Sequence, residues 1–468
     1  MKRILTVVGA ALLIGGLLGS PAQAAATGVA AVSGTKVIYK AGKAKQNRVV
    51  VTRSGNTIVV DDKVAVKPGK GCKKIDKTTV RCTPKKAPTR IGVYTYDRND
   101  SIVNRTGLGM TADGGTGNDS ITGGPRGDTL RGGDGKDRIW GSAGSDTIYG
   151  GDGNDWIKGG DGHDTIEGDY GNDVAYGENG DDRLGGGSGN DRLSGGAGND
   201  TLGWADGDYP KGESDSDVFS GGAGWDEVSY FIYEHAVKVD ADGVADDGKA
   251  GEKDNVKPDV EHIQGGQKND RLYGTSRRDV LVGGPGNDVI NGYGGDDVLV
   301  GELGADVLDG GAGNDDLVGD DPWFGKLSAD VLRGGSGRDR VDYANYTKPV
   351  TVDLDGRADD GQAGEKDTVG ADVEDIIGGK AGDRLTGSAG PNVIWGDGGN
   401  DVIRGGAGND VLDGADGRDS LYGEAGDDDL NGWDWDGSDE ADRLDGGANA
   451  DLCRPAPLDT VLSCEKTE

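Results

Sequence analysis

Residues 114–203 read GGTGNDSIT GGPRGDTLR GGDGKDRIW GSAGSDTIY GGDGNDWIK GGDGHDTIE GDYGNDVAY GENGDDRLG GGSGNDRLS GGAGNDTLG, ten nonapeptides without a gap. Each has Asp at its sixth position: Asp119, Asp128, Asp137, Asp146, Asp155, Asp164, Asp173, Asp182, Asp191 and Asp200. A fixed period this short describes a solenoid, one small unit stacked on itself. An Asp aligned in every turn, beside glycines that leave carbonyls bare, predicts a column of hard cations.

The pattern returns twice. Six units from Gly265 to Val318 have Asp270, Asp279, Asp288, Asp297, Asp306 and Asp315 at position six. Six more from Gly378 to Asn431 have Asp383, Asn392, Asp401, Asp410, Asp419 and Asp428. The single exception among 22, Asn392, is still an oxygen donor. Position eight is Ile or Leu everywhere except Ala175, so one inward aliphatic per nine residues builds a ladder rather than a globular core. In G-G-x-G-x-D-x-U-x, with U the large aliphatic, glycines accept backbone angles closed to other residues and let turns approach. The last three residues make a short strand. Calcium takes six to eight oxygens at about 2.3–2.6 Å in forgiving geometry, which carbonyls plus carboxylate supply. Magnesium demands a tighter octahedron, and transition metals prefer His or Cys.

The 468 residues include 92 Gly, only 33% hydrophobic residues and a net charge of −34. Such a composition usually means disorder, because too little apolar surface is buried to offset chain entropy. Register argues otherwise: low-complexity sequence has composition but no phase. The start, MKRILTVVGAALLIGGLLGSPAQAAA, reads as a secretory signal with Lys2 and Arg3 before a short apolar run and Ala22-Gln23-Ala24 at the cleavage site. No later segment is apolar enough to span a bilayer. Export makes disulfides the expectation for the two close pairs, Cys72 with Cys82 and Cys453 with Cys464. His163, His235 and His262 are too scattered to build a zinc site with them. Charge is segregated: residues 25–110 hold 18 Lys/Arg against five acids, so the remainder is more acidic than the whole. That acidic surface excludes nucleic acid as a partner of the repeats. The basic segment either contacts an anionic cell envelope or is a solvated Lys-rich surface.

Residues 27–110 alternate in runs such as NRVVVTR and TRIGVYTY, a β pattern suited to capping the open edge of the first coil. A larger duplication lies between arrays: residues 221–274 and 334–387 align without gaps at 32 identities in 54. Each copy reads as a strand, an acidic excursion and a strand that re-enters the solenoid; the excursion is either a solvated loop or an extra cation site. Trp204, Trp323, Trp433 and Trp435 lie in further excursions and either contact a ligand or pack over the adjacent coil. The expected organisation is a signal peptide (1–24), a basic β-rich cap region (25–113), a first array (114–203), an excursion with the first duplicated module (204–264), a second array (265–318), a second excursion and module (319–377), a third array (378–452) and a disulfide-closed tail (453–468).

These repeats resemble the RTX family, the repeats-in-toxin or haemolysin-type calcium-binding repeats. The resemblance implies an all-β fold: a parallel β-roll, or β-solenoid, with two nonapeptides per coil and calcium between the turns of successive coils, about 16 ions in all. The closing GGANADLCRPAPLDTVLSCE looks like the end of secreted actinobacterial proteins of this type. In the family's toxins and proteases a catalytic or membrane-inserting domain precedes the repeats, whereas here only the small basic region does. No HExxH helix, GxSxG elbow or Ser/His/Asp set stands out. The expectation is therefore an extracellular, non-enzymatic protein that folds on binding Ca2+, with a structural, adhesive or scaffold role and the cell envelope or an extracellular polysaccharide as further partner. The alternative is an exported polysaccharide-modifying enzyme, or a haemolysin- or protease-like protein, stabilised by its repeats.

Overall fold

A computed structural model describes residues 27–203, 215–323, 325–434 and 440–467; the expected signal peptide, Trp204 and Trp435 lie outside them. Each nonapeptide forms one short strand and one turn, so two units complete a coil. The register says so directly. Thr111 pairs with Thr129, Thr129 with Thr147 and Thr147 with Thr165, in parallel steps of 18 residues. On the opposite side Ile121, Ile139, Ile157, Ala175 and Leu193 follow the same step. With a side-chain period of two, the single aliphatic between two outward residues points inward. Leu130, Ile139, Ile148, Ile157 and Ile166 are accordingly 0% exposed and belong to one core cluster running the length of the chain.

One face is a single 22-stranded sheet; the other is divided into sheets of 12 and 14 strands. The seam falls in the first duplicated module. There Val256 ends one ladder against Phe219, while Val239, earlier in the chain, opens the next against Leu272. The excursion thus doubles back, with Val237 antiparallel to Lys249. In the second module the returning segment Ala358–Gln362 pairs with both Val350–Asp353 and Asp367–Val369, which keeps the ladder continuous.

At the N-terminus, Gly28–Ser33 pairs antiparallel with Lys36–Lys40, and Arg48–Ser54 with Thr57–Asp61. Arg90–Tyr94 and Ser101–Arg105 then pair in parallel with the first repeat strands, so the ladder begins one coil ahead of Gly114. This covers an edge that would otherwise template pairing with other chains. At the far end Cys453 occupies an inward position beneath Leu430. Both expected disulfides, Cys72–Cys82 and Cys453–Cys464, are formed.

Among the described residues there is no helix, and hence none long and apolar enough to cross a membrane. Trp323 and Trp433 do not pack over the neighbouring coil: they remain 77% and 51% exposed.

Candidate metal centre

The turns bring the sixth-position carboxylates into columns. In each, one carboxylate oxygen accepts the backbone N–H of the Asp one coil earlier: Asp137 Oδ1 from Asp119 N at 2.6 Å, Asp155 Oδ1 from Asp137 N at 2.7 Å, Asp173 Oδ1 from Asp155 N at 2.6 Å. The opposite turns repeat this through Asp146, Asp164, Asp182 and Asp200. The second array places Asp288, Asp297, Asp306 and Asp315 likewise, and the third Asp401, Asp410, Asp419 and Asp428. All are as buried as the aliphatic ladder, at 0–3% exposure.

The second oxygen, Oδ2, is buried in these turns and meets no donor. It faces the first glycine of its own unit and a carbonyl of the next coil. A Cβ built on Gly132 would lie 2.2 Å from Asp137 Oδ2 and 2.5 Å from Gly150 O; one on Gly150 would lie 2.5 Å from Asp155 Oδ2 and 2.6 Å from Gly168 O. Glycine is required there because the carboxylate and the carbonyl fill the space of a side chain. An anionic oxygen without a donor, taken out of water, carries a desolvation cost of several kcal/mol unless a cation meets it. Burial accordingly pushes the carboxyls up, with neighbouring carboxylates adding to it: Asp146 and Asp173 to about 8, Asp419 to about 9. Carboxylate and carbonyl oxygens with no nitrogen or sulfur are the donor set of a hard divalent cation, and forgiving geometry favours calcium over magnesium.

Five positions are arranged differently: the side-chain oxygens of Asp128, Asp270, Asp279, Asp383 and Asn392 fold back onto backbone N–H groups of their own turns. Conversely, Asp226, Asp330, Asp339, Asp442 and Asp451 share the column geometry, each taking an Asp N–H at 2.8–3.0 Å and leaving Oδ2 buried without a donor. The signal for three of these was present in GGAGWD, GGSGRD and GGANAD (221–226, 334–339 and 446–451), hexapeptides hidden by the duplication and the tail. Asp330 and Asp442 follow insertions that break the period.

The acidic excursions gather Asp240, Asp246 and Asp247 in one module and Asp353, Asp355 and Asp359 in the other. In the first, Lys238 Nζ lies 2.6 Å from Asp240 Oδ2 and 2.7 Å from Asp246 Oδ2, supplying the positive charge itself. Thr351 stands at the equivalent place in the second.

A parallel β-roll whose turns converge buried carboxylates on bare carbonyls defines a calcium-binding solenoid. The family model for the RTX calcium-binding nonapeptide repeat matches at residues 113–148, 140–174, 149–184, 167–202, 264–299, 273–308, 292–321, 324–344, 377–412 and 404–434. The chain is an RTX-repeat protein. No curated protein matches it.

Proposed function

We propose that this calcium-binding β-roll is a secreted, non-enzymatic protein that folds when it meets extracellular calcium and then acts as a structural or adhesive scaffold. The observation that carries the reading is the row of buried Oδ2 atoms without donors, from Asp119 to Asp451. The open-turn aspartates would be the ligands, completed by turn carbonyls such as Gly150 O and Gly168 O. Without the ion, stacked carboxylates repel and remain unsolvated, so the chelated chain expands. Extracellular calcium modules bind at about 10⁻⁴–10⁻³ M. At free calcium about tenfold above the dissociation constant, each site adds about 1.4 kcal/mol, and many coupled sites suffice to order an array. Low calcium inside the cell keeps the chain unfolded for export; the two disulfides suit an oxidising exterior.

The basic cap is the candidate for attachment. Its strand pairing sets Lys73 directly opposite Arg81, both exposed, on a sheet edge that an anionic envelope polymer would neutralise. Far-UV circular dichroism in chelator and in millimolar calcium tests the folding claim. A coil-like spectrum that converts to β on adding calcium is expected; the same β spectrum in both overturns it.

A further inference from the structure

The repeat turns come in two forms. In the open form Oδ2 is buried without a donor, and in every open turn built on an uninterrupted nonapeptide the second residue has a positive φ. Eight of those residues are not glycine: Ser142, Asp169, Glu178, Tyr293, Glu302, Asp397, Ala415 and Glu424, with φ from 58° to 91°. Side chains rarely adopt that conformation without something to hold them there. In the closed form the second residue is not in this region, and its N–H instead donates to the side chain at position six. Gly124 N donates to Asp128 Oδ2 at 2.6 Å, Gly266 N to Asp270 Oδ2 at 2.7 Å, Thr275 N to Asp279 Oδ2 at 2.5 Å and Gly379 N to Asp383 Oδ2 at 2.6 Å. Ser388 N donates to Asn392 Oδ1 at 2.8 Å.

Two independent facts give the closed form meaning. The one unit lacking a carboxylate, that of Asn392, is closed, and its amide donates from Nδ2 to Glu374 O at 2.6 Å. A neutral side chain is thus tolerated where no charge is called for. The closed turns also sit where columns begin. Asp128 has Met110, Asp270 has Val237 and Asp383 has Val350 in place of an Asp one coil earlier. The first two columns end at side chains that are satisfied in another way: Asp254 Oδ2 accepts from Tyr230 OH at 3.0 Å, and Glu261 Oε2 accepts the last N–H, that of Asp226. The second pair ends identically at Asp367 with Tyr343 and at Glu374 with Asp339.

Asp279 is intermediate: its Oδ2 holds the Thr275 N–H, but its Oδ1 is buried without a donor. We propose that the other four closed turns, those of Asp128, Asp270, Asp383 and Asn392, take no calcium and that, with the tyrosine-capped Asp254 and Asp367, they act as ion-free stops dividing the calcium of the solenoid into three sets that fill independently. The 113-residue repeat of the modules is then the repeat of this stop. Sites couple along a column because neighbouring turns share a carboxylate and a peptide ladder. A turn whose carboxylate already holds backbone or phenol donors has no charge deficit to pass on.

This inference rests on calcium filling the open turns, and asparagine substitutions in the full-length chain separate the two ideas. By calorimetry, Asp297→Asn and Asp401→Asn should each lose at least one ion per chain. Asp270→Asn and Asp383→Asn should keep the full stoichiometry. Asp383→Asn gives a closed turn the neutral side chain that Asn392 already has and should leave the protein at least as resistant to heat. Equal loss of ions from Asp383→Asn and Asp297→Asn overturns the inference and leaves the calcium reading intact; no calcium binding by the unsubstituted chain overturns both. Hydrogen exchange at limiting calcium supplies the second test. Asp164→Asn should deprotect strands of residues 114–228 alone, and matching deprotection of residues 402–448 would refute independent filling.

Discussion

At the scale of the residue, aspartate at position six does two jobs with two oxygens. Oδ1 replaces a backbone partner for the coil before it, as Asp155 does for Asp137, and Oδ2 is left for a cation. The glycine at position one is as constrained as the aspartate. Gly150→Ala would put a methyl 2.5 Å from Asp155 Oδ2 and 2.6 Å from Gly168 O, so one donor must leave. We expect calcium affinity at that turn to fall by about tenfold or more, with about 1–3 kcal/mol of calcium-loaded stability lost, as read by calorimetry and thermal melts. The raised carboxyls make a second expectation. In the folded, ion-free coil Asp146 and Asp173 hold protons up to about pH 8, whereas unfolded aspartate releases them near ~3.9. Protonation therefore favours the ion-free fold in mild acid, and that contribution disappears as pH rises through the folded values. In chelator, acidification from about pH 8 to about pH 5 should recover β signal; in calcium the same change should weaken binding, as protons compete for Oδ2. A chelated chain that loses β signal on acidification contradicts this.

At the scale of the element, each strand of the nonapeptide arrays has a single buried aliphatic side chain, so the ladder there has no redundancy. Ile148, fully buried between Leu130 and Ile166, should cost about 2–5 kcal/mol when changed to Ala, measured by denaturant unfolding in saturating calcium. Ala175 shows that one gap is accepted, where Tyr176 beside it on the outer face makes a ring contact with Trp156. The last coil depends on a covalent closure instead. Cys453 fills the aliphatic position and bridges to Cys464 across 11 residues. Replacing both by Ser should lower stability by about 3 kcal/mol and deprotect residues 443–467 to hydrogen exchange before any other segment.

At the scale of the molecule, the sum of charges separates attachment from folding. A chain at −34 is drawn toward neutrality as divalent ions fill its turns, while the cap stays basic. Binding of calcium-loaded protein to anionic cell-wall polymer should therefore fall steeply with salt. It should also fail in the full-length variant with Lys73→Glu, Lys74→Glu and Arg81→Glu; undiminished sedimentation of that variant with cell walls would remove the cap from the proposal.

The nonapeptide period, the inward aliphatics and the sixth-position Asp were legible from residues alone, because a repeat of nine admits one inward position and one turn per unit. The two disulfides followed from the same text, and the coil of 18 from the resemblance to the RTX repeats. What only the tertiary structure decided is which turns are open. That depends on what lies one coil away: Asp119 sits in a column headed by Asp100, whereas Asp270 follows Val237, and linear order does not reveal either neighbour. For the same reason Asp330 and Asp442, which follow insertions that break the period, joined the columns only once the coils were stacked. Period is a property of the chain, whereas coordination is a property of contacts between coils.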